Sequence, residues 1–568
     1  MKNYSLLWLL FQIIAASSLA QTKDIKASLM EHGQIVVPFN NEEEALTFNP
    51  LASKLVQELV WSKEVQQVRS KYPSVFSTTV EMPPQWLQKE KLLVLYAPKA
   101  AFTVEVNGHK LELAAPGVNT KINLTSLIPA KSDSVTIKVI SDREVKSIDN
   151  LVYKALLFAV PNVHAASTHL RIDKKYPNLY RSLNWMYFID LKNHSPSSTY
   201  KSYFHTEEKV RDDKGEVVYI FDKGYINNNN EIPAEGHWRF YFFNHPDVYS
   251  NKWTAETPYL YTVNVLVSST RDNASVVVSD RVGVRTTEVK EGQLRINNVG
   301  VHFKPAAYIH PPLNAPVPTK DSLREFVRNV KQYSVNTLLV YGLPANNDLY
   351  SLADEYGLYI VQYMYPMQPP DSKKESYDDL WLRQHLSMIY QIRNHPSVVA
   401  WATDGNLSIS KEHASALKDS LLVLDPDRPF LESAVVNLPT AAQGFEQLTG
   451  ENLLKLKKAY QPVKIQVSKD SKASISNLLD FAVLDNVLLK WKLLDGDKVL
   501  REGEVNDLSI EPGGFRLIKL PFSFDSLKNK AYTISFEIVS KEDNSWADKG
   551  HVLAWECFDA STLKASHR

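Results

Sequence analysis

The sequence predicts a multidomain, β-rich chain with one α/β segment, and three observations predict it. Its 568 residues suffice for about three to five domains at roughly 100–200 residues each. Apolar residues alternate with period two before about residue 290 and again after about residue 462. In between, the period becomes helical, and short apolar runs separate the helices. A hydrophobic fraction of 44% is ordinary for globular proteins and ample for real cores. Basic and acidic residues balance at 64 each, which gives no electrostatic reason to expect nucleic acid or an anionic membrane as partner. Eleven Trp and 27 Tyr suit the cores of β-sandwiches, and also surfaces that stack on sugar rings.

The first twenty residues read as an export signal. Lys2 supplies the positive charge, Leu6 to Ile14 the apolar stretch, and Ser18-Leu19-Ala20 a small-x-small cleavage site. That stretch is too short to span a bilayer, which takes roughly 20 apolar residues, and no second run is long enough. The mature protein is therefore expected to be secreted or periplasmic, without a membrane span. Its one cysteine, Cys557, cannot form an internal disulfide. The context His551 to Phe558 reads as a half-buried strand, with Cys557 as a small core residue. One cysteine and no His-x-x-x-His pair leave no zinc site to expect, and no cofactor is expected either.

From about 27 to 160 the pattern is strand and turn. Leu92 to Tyr96 is an apolar run. Phe102 to Val106 alternates, meets Asn107-Gly108, and alternation resumes from Lys110 to Leu113; both turn residues accept positive φ, so a hairpin is predicted. Val135, Ile137 and Val139 continue the pattern. A second β-region spans about 161–288, with Trp185, Tyr187, Ile189 and Leu191 alternating, and likewise Val263, Val265 and Val267; Asn227 to Asn230 is a polar tract for an exposed loop. Helical spacing begins at Leu323, Phe326, Val327 and Val330, with Asp321 and Ser322 as cap candidates. There follow a run at Asn336 to Val340, a helix from Asn346 to Tyr356 stopped by Gly357, and a strand at Leu358 to Val361. A helix over about Asp378 to Arg393, a strand at Val398 to Trp401, and a helix from Lys411 to Leu424 complete the series. Strand and helix in alternation with short loops signal a parallel sheet or barrel. From about 462 to 560 alternating strands return, around Trp491 and at Tyr532, Ile534, Phe536 and Ile538, with a turn at Pro512-Gly513-Gly514.

Several strings sharpen this order. They are Glu256-Thr257-Pro258-Tyr259-Leu260-Tyr261, Val282-Gly283-Val284-Arg285, Asp354 to Ile360, Arg393-Asn394-His395-Pro396-Ser397-Val398 followed by Trp401, and Asp425-Pro426-Asp427-Arg428-Pro429. Tyr460-Gln461-Pro462-Val463 and the segment Trp546 to Trp555 add to them. Each is weak alone, but in colinear order over about 85–558 they resemble the bacterial β-galactosidases of glycoside hydrolase family 2. The resemblance implies an N-terminal jelly-roll-like, sugar-binding-like β-sandwich over 21–160 and an Ig-like sandwich over 161–288. It implies an incomplete TIM-like (β/α) barrel over 289–460 and a C-terminal β-sandwich of the β-galactosidase type over 461–568. Taken residue by residue, the strings read as scaffold. Asn394-His395-Pro396 is a helix-to-strand turn with His395 as cap, and Asp354-Glu355 is a solvated helix face.

Retaining glycosidases need two carboxylates about 5–5.5 Å apart. The family's acid lies in a Gly-Asn-Glu string after the fourth-strand Trp. Here the chain reads Trp401-Ala402-Thr403-Asp404-Gly405-Asn406-Leu407, so that position falls on Asn406 or Leu407, neither of which titrates. Asp404 is a weak substitute, and Glu432 is a second weak candidate, followed by Glu446 and Glu451. The nucleophile belongs to a seventh barrel strand. A barrel takes about 250 residues, whereas Glu291 to Tyr460 offers only about 170. Supporting segments differ too: Tyr308-Ile309-His310-Pro311-Pro312 has one His where the family has a pair, and Tyr341-Gly342-Leu343-Pro344 replaces a His-Tyr-Pro string. The family's Trp-Arg-x-Ser-Gly string is missing from Ser141 to Val160.

The expected function is thus a secreted, catalytically inactive relative that binds glycan or serves as a scaffold in carbohydrate use. The competing expectation is a divergent glycosidase with relocated carboxylates or a partner chain. Carbohydrate is the expected ligand. A partner protein or second copy is the expected cover for the open barrel edge, unless the helix at Leu453 to Tyr460 lies there. Four Asn-x-Ser/Thr strings begin at Asn123, Asn193, Asn273 and Asn406.

Overall fold

The computed structural model describes residues 30–32, 34–64, 74–113, 116–172, 185–225, 231–244, 251–312, 315–364, 377–403, 410–432, 438, 444–523 and 532–559. The export-signal residues, Asn227 to Asn230 and Asp404 to Leu407 lie outside these.

Two five-stranded antiparallel sheets form the first sandwich. The run Leu92 to Tyr96 is the centre of the strand Glu90–Pro98, flanked on both sides by strands and buried along nearly its whole length. The hairpin forms as expected: Phe102–Val106 pairs with His109–Leu113, and the turn residues have φ +48° at Asn107 and +82° at Gly108. Val135, Ile137 and Val139 point inward from Ser134–Ser141 onto Leu93, Val104 and Leu157. The second sandwich packs a three-stranded sheet on a four-stranded one. Trp185, Tyr187, Ile189 and Leu191 are buried while their neighbours along the strand are not, as period-two alternation requires. The C-terminal sandwich repeats the three-plus-four arrangement around Trp491, Phe536 and Leu489. Cys557 corrects its expectation: it is exposed, on the outward side of the strand Val552–Asp559. Alternation from the buried Ala554 turns residue 557 to the opposite face.

Between the sandwiches lies a parallel sheet of five strands in sequential order. The elements run β1 (Pro305–Ile309), α1 (Lys320–Gln332), β2 (Thr337–Tyr341), α2 (Asp348–Tyr356), β3 (Tyr359–Tyr363), α3 (Tyr377–Ile392), β4 (Val398–Ala402), α4 (Lys411–Leu424) and β5 (Phe430–Leu431), with α5 (Glu451–Ala459) at the end. The cap of α1 differs from expectation: Thr319 is the N-cap, its side chain accepting from the Ser322 N–H, because Asp321 and Ser322 already sit in the first turn. Gly357 ends α2 at φ +76°, with no room for a side chain, since a Cβ there would lie 2.3 Å from the Ala255 carbonyl oxygen. Among the described residues the sheet stops at β5, which is two residues long. At the opposite edge Gly444 makes a single parallel bridge to Ala307 of β1. Helix α5 lies on this β1 side, where the Tyr460 hydroxyl donates to the Pro305 carbonyl and Lys457 sits over the Tyr333 ring. It therefore does not cover β5, contrary to one sequence expectation.

Candidate functional site

The sheet has two faces with different roles. Leu338, Val340, Ile360 and Trp401 pack on α1 to α4. The other face, which would line a closed barrel, carries Leu339, Tyr359, Val361, Ala400, Ala402 and Leu431, with Tyr341 and Tyr363 partly buried at the C-terminal ends of β2 and β3. Trp253, Leu294, Ile296 and Phe303 cover it from below, and Leu438 and Phe481 pack against the same cluster. The groups named on this face are aliphatic or aromatic, as in the packed interior of a barrel, and the acids of a glycosidase belong beyond its C-terminal strand ends.

Of the predicted site residues, the described ones, Glu432, Glu446 and Glu451, are all exposed. Asp404, Asn406 and Leu407 lie outside the described residues. Glu432 follows β5 but points to solvent, where it pairs with Lys418 Nζ at 2.7 Å. Glu446 is exposed. Glu451 is exposed and pairs with Lys455 one helical turn on, at 2.7 Å. Among the described residues no group of three or more His, Cys, Asp and Glu could hold a metal ion. No described helix is long and apolar enough to cross a membrane.

At the strand ends stands a hydrogen-bonded chain that sequence inspection missed. His310 Nε2 contacts the Tyr350 hydroxyl at 3.1 Å, Tyr350 donates to Gln362 Oε1 at 2.6 Å, and Gln362 Nε2 donates to the Gly342 and Tyr363 carbonyls. Burial pushes His310 down to about 3, so its ring stays neutral. Beside it lies a small cavity of about 30 Å³ lined by Lys99, Tyr308, His310, Pro311 and Asn346, which has room for a water molecule or two. Tyr341 and Tyr363 stack at 4.6 Å between ring centres.

The quoted strings prove to be joints. Asp354 corrects its reading as a solvated residue: it is 4% exposed, accepts from the Ser397 N–H at 2.9 Å, and meets His395 Nδ1 at 2.5 Å. His395 thus ties α2 to the start of β4 beyond its place in a turn. Asn394 reaches the second sandwich, accepting from the Leu170 N–H and donating to the Thr168 carbonyl. Arg285 is 5% exposed and donates to the Pro396 and Val398 carbonyls; burial, and Arg428 nearby, push it down to about 9. Asp425, 1% exposed, accepts from Trp401 Nε1 at 2.7 Å and from Arg428 at 2.8 Å. Gly283 is required because a Cβ there would meet Pro396 at 2.7 Å. Glu256 accepts three backbone N–H groups, from Asp480, Phe481 and Ala482, at 2.9, 2.7 and 2.8 Å. Asp480 in turn bonds His302. Two of the glycosylation-type asparagines are engaged as well: Asn193 is fully buried, and Asn123 bonds Glu90.

Residues 287–452 match the domain family described as "Glycosyl hydrolases family 2, TIM barrel domain", and residues 473–561 match "Beta-galactosidase, domain 4". A β-galactosidase of Alteromonas mediterranea is 30% identical over 217 residues, which is 36% of this chain and 20% of that protein. A β-galactosidase of Clostridium acetobutylicum is 23% identical over 381 residues, 62% of this chain and 40% of the relative. The chain thus spans from a fifth to two fifths of the curated relatives it matches. In fold it is similar to a β-glucuronidase of Bacteroides uniformis (TM-score 0.54, 13% identity, 86% of this chain and 74% of that one). It is also similar to an exo-chitosanase of Amycolatopsis orientalis (TM-score 0.56, 11% identity, 86% and 76%). Joints, sheet order and both domain matches agree, and the chain is a β-galactosidase-like protein of glycoside hydrolase family 2.

Proposed function

We propose that this is a secreted, non-hydrolysing member of the family, with a glycan-binding or scaffolding role in carbohydrate utilisation. The observation that carries the reading is the parallel sheet, which among the described residues ends at β5, short of the seventh strand that would bring the nucleophile. The sequence after Trp401 supports it, since Asn406 and Leu407 offer no titrating group at the acid position. The stacked Tyr341 and Tyr363 support the glycan half of the proposal, because aromatic faces suit the apolar faces of sugar rings. Export rests on the segment Lys2 to Ala20. The test is a hydrolysis assay on a panel of galactosides and glucuronides run beside glycan-array binding of the mature chain. The expected result is binding without turnover. Turnover that survives re-purification and is lost in Asp404→Ala would instead establish the divergent glycosidase.

A further inference from the structure

Where the first sandwich meets the second, two imidazoles stack. His164, the second residue of the strand Val163–Ile172, and His194 lie with ring centres 4.9 Å apart and planes 7° from parallel. His164 is 5% exposed, and its Nδ1 makes no hydrogen bond. The second ring is held from the first sandwich by Asn123, the last residue of the strand Thr120–Asn123, whose Nδ2 lies 3.3 Å from His194 Nδ1.

The direction of that bond follows from its neighbours. Asn123 Oδ1 accepts from the Thr125 N–H at 3.0 Å, and Asn123 Nδ2 donates to Glu90 Oε2 at 3.0 Å. The amide therefore turns its nitrogen to the imidazole. Since Nδ2 can only donate, His194 Nδ1 must accept, and the ring that accepts there is neutral. A proton on Nδ1 would set N–H against N–H. The surroundings oppose the second charge as well. His164 pairs in register with Lys192, which pairs with His237, so one row of the sheet carries three groups able to be positive, and Lys121 faces them from the first sandwich. Glu90, the carboxylate beside Asn123, is engaged by its amide. Burial is the largest cause holding His164 well below the ordinary histidine range, followed by His194, Lys121, His237 and Lys192.

We propose that the His164–His194 stack against Asn123 is an acid-sensitive latch between the first and second sandwiches, closed while both imidazoles are neutral and released by mild acid. Protonation converts an accepting nitrogen into a donor facing a donor, and places a positive charge near Lys192 of the second sandwich and Lys121 of the first. Loosening is local, because the first sandwich keeps separate contacts elsewhere, such as Gln384 Nε2 to the Pro116 carbonyl and Asn346 to the Tyr153 hydroxyl.

The test is hydrogen–deuterium exchange of the full chain at pH 7.5 and 5.0, corrected for the intrinsic pH dependence of exchange. Peptides covering 119–125 and 192–196 are expected to exchange about tenfold faster at pH 5.0, one tenfold step corresponding to a modest local opening. The strand Tyr532–Ser540, far from the latch in sequence, should not change. His194→Gln retains an acceptor and cannot be protonated, so its acid response should be much smaller than that of the natural chain, with His164 alone left to titrate. Asn123→Ala removes the donor and should give the fast exchange already at pH 7.5. An equal acid response in His194→Gln, no response in the natural chain, slow exchange at pH 7.5 in Asn123→Ala, or a rise shared with Tyr532–Ser540 would each overturn the latch.

Discussion

Replacing Glu256 by Ala should loosen the C-terminal sandwich from the half-barrel. The carboxylate receives three backbone N–H groups of the turn 480–482 at 2.7–2.9 Å, and that turn carries Phe481 onto the cluster behind β1 to β5. Hydrogen bonds to a charged group contribute about 1.5–3 kcal/mol each. Three would sum to at least about 4.5 kcal/mol if the freed amides stayed dry. Glu256 is only partly buried, so water will replace part of what is lost, and a destabilisation of about 2–4 kcal/mol is expected. The measurement is urea denaturation followed by far-UV dichroism, with limited proteolysis near residues 478–482 as a local readout. Glu256→Gln should recover part of the loss, because its amide oxygen can still accept from Phe481 and Ala482 while its nitrogen faces the Asp480 N–H. A loss below about 1 kcal/mol, with the turn still protected from protease, would refute the view that this carboxylate fastens the two parts.

Other consequences are simpler to state. Leu407→Glu alone should leave hydrolysis of galactosides at background, since an acid without a nucleophile does not act; a clear rate gain would reveal a nucleophile that the barrel-lining face does not show. Stability should fall in mild acid. His164 and His169, 5% and 8% exposed, are both held well below the ordinary histidine range, by burial first. Because the folded state keeps them neutral while the unfolded chain takes up protons below about pH 6.5, their contribution is complete above that pH. It declines by about 1.4 kcal/mol per pH unit for each ring as the pH drops, and flat stability between pH 6.5 and 5.0 would contradict this. Gly357→Ala should cost about 2–4 kcal/mol, from φ +76° and the contact with the Ala255 carbonyl; a shift in melting temperature under 2 °C would contradict it.

Much of the architecture was legible because it rests on local rules. The Asn107-Gly108 hairpin, the stop at Gly357 and the span Lys411–Leu424 each follow from side-chain preference within a few residues. The brevity of the barrel was legible by counting, since each parallel return needs a crossover of a dozen or more residues. Tertiary roles were not. Asp354 reads as a surface residue from its helix position, yet it is buried because Ser397 and His395, over forty positions on, supply its partners. Cys557 went wrong in the opposite sense, because an apolar neighbourhood does not say which face of a strand is covered. The chain His310–Tyr350–Gln362 had no motif to announce it, its three members coming from the β1 end, the first turn of α2 and the interior of β3.

The same distinction explains how an unclosed barrel persists. A sheet with a bare edge and a bare apolar face invites association. Here the covering groups come from within the chain. Gly444 bridges β1, Tyr460 ties α5 to its first residue, and Leu438 and Phe481 close on the lining face. Gln332 and Lys458 then fasten the helices to the Trp546 and Trp555 carbonyls of the C-terminal sandwich. Tyr460 and Phe481 lie far along the chain from what they cover, and each is placed by a polar contact in or beside a string that looked like family scaffold. The strings Glu256 to Tyr261, Asp354 to Ile360 and Trp546 to Trp555 are therefore explained without any catalytic duty. What these joints fix is shape, since they hold the five-stranded sheet against the second sandwich on one side and the C-terminal sandwich on the other.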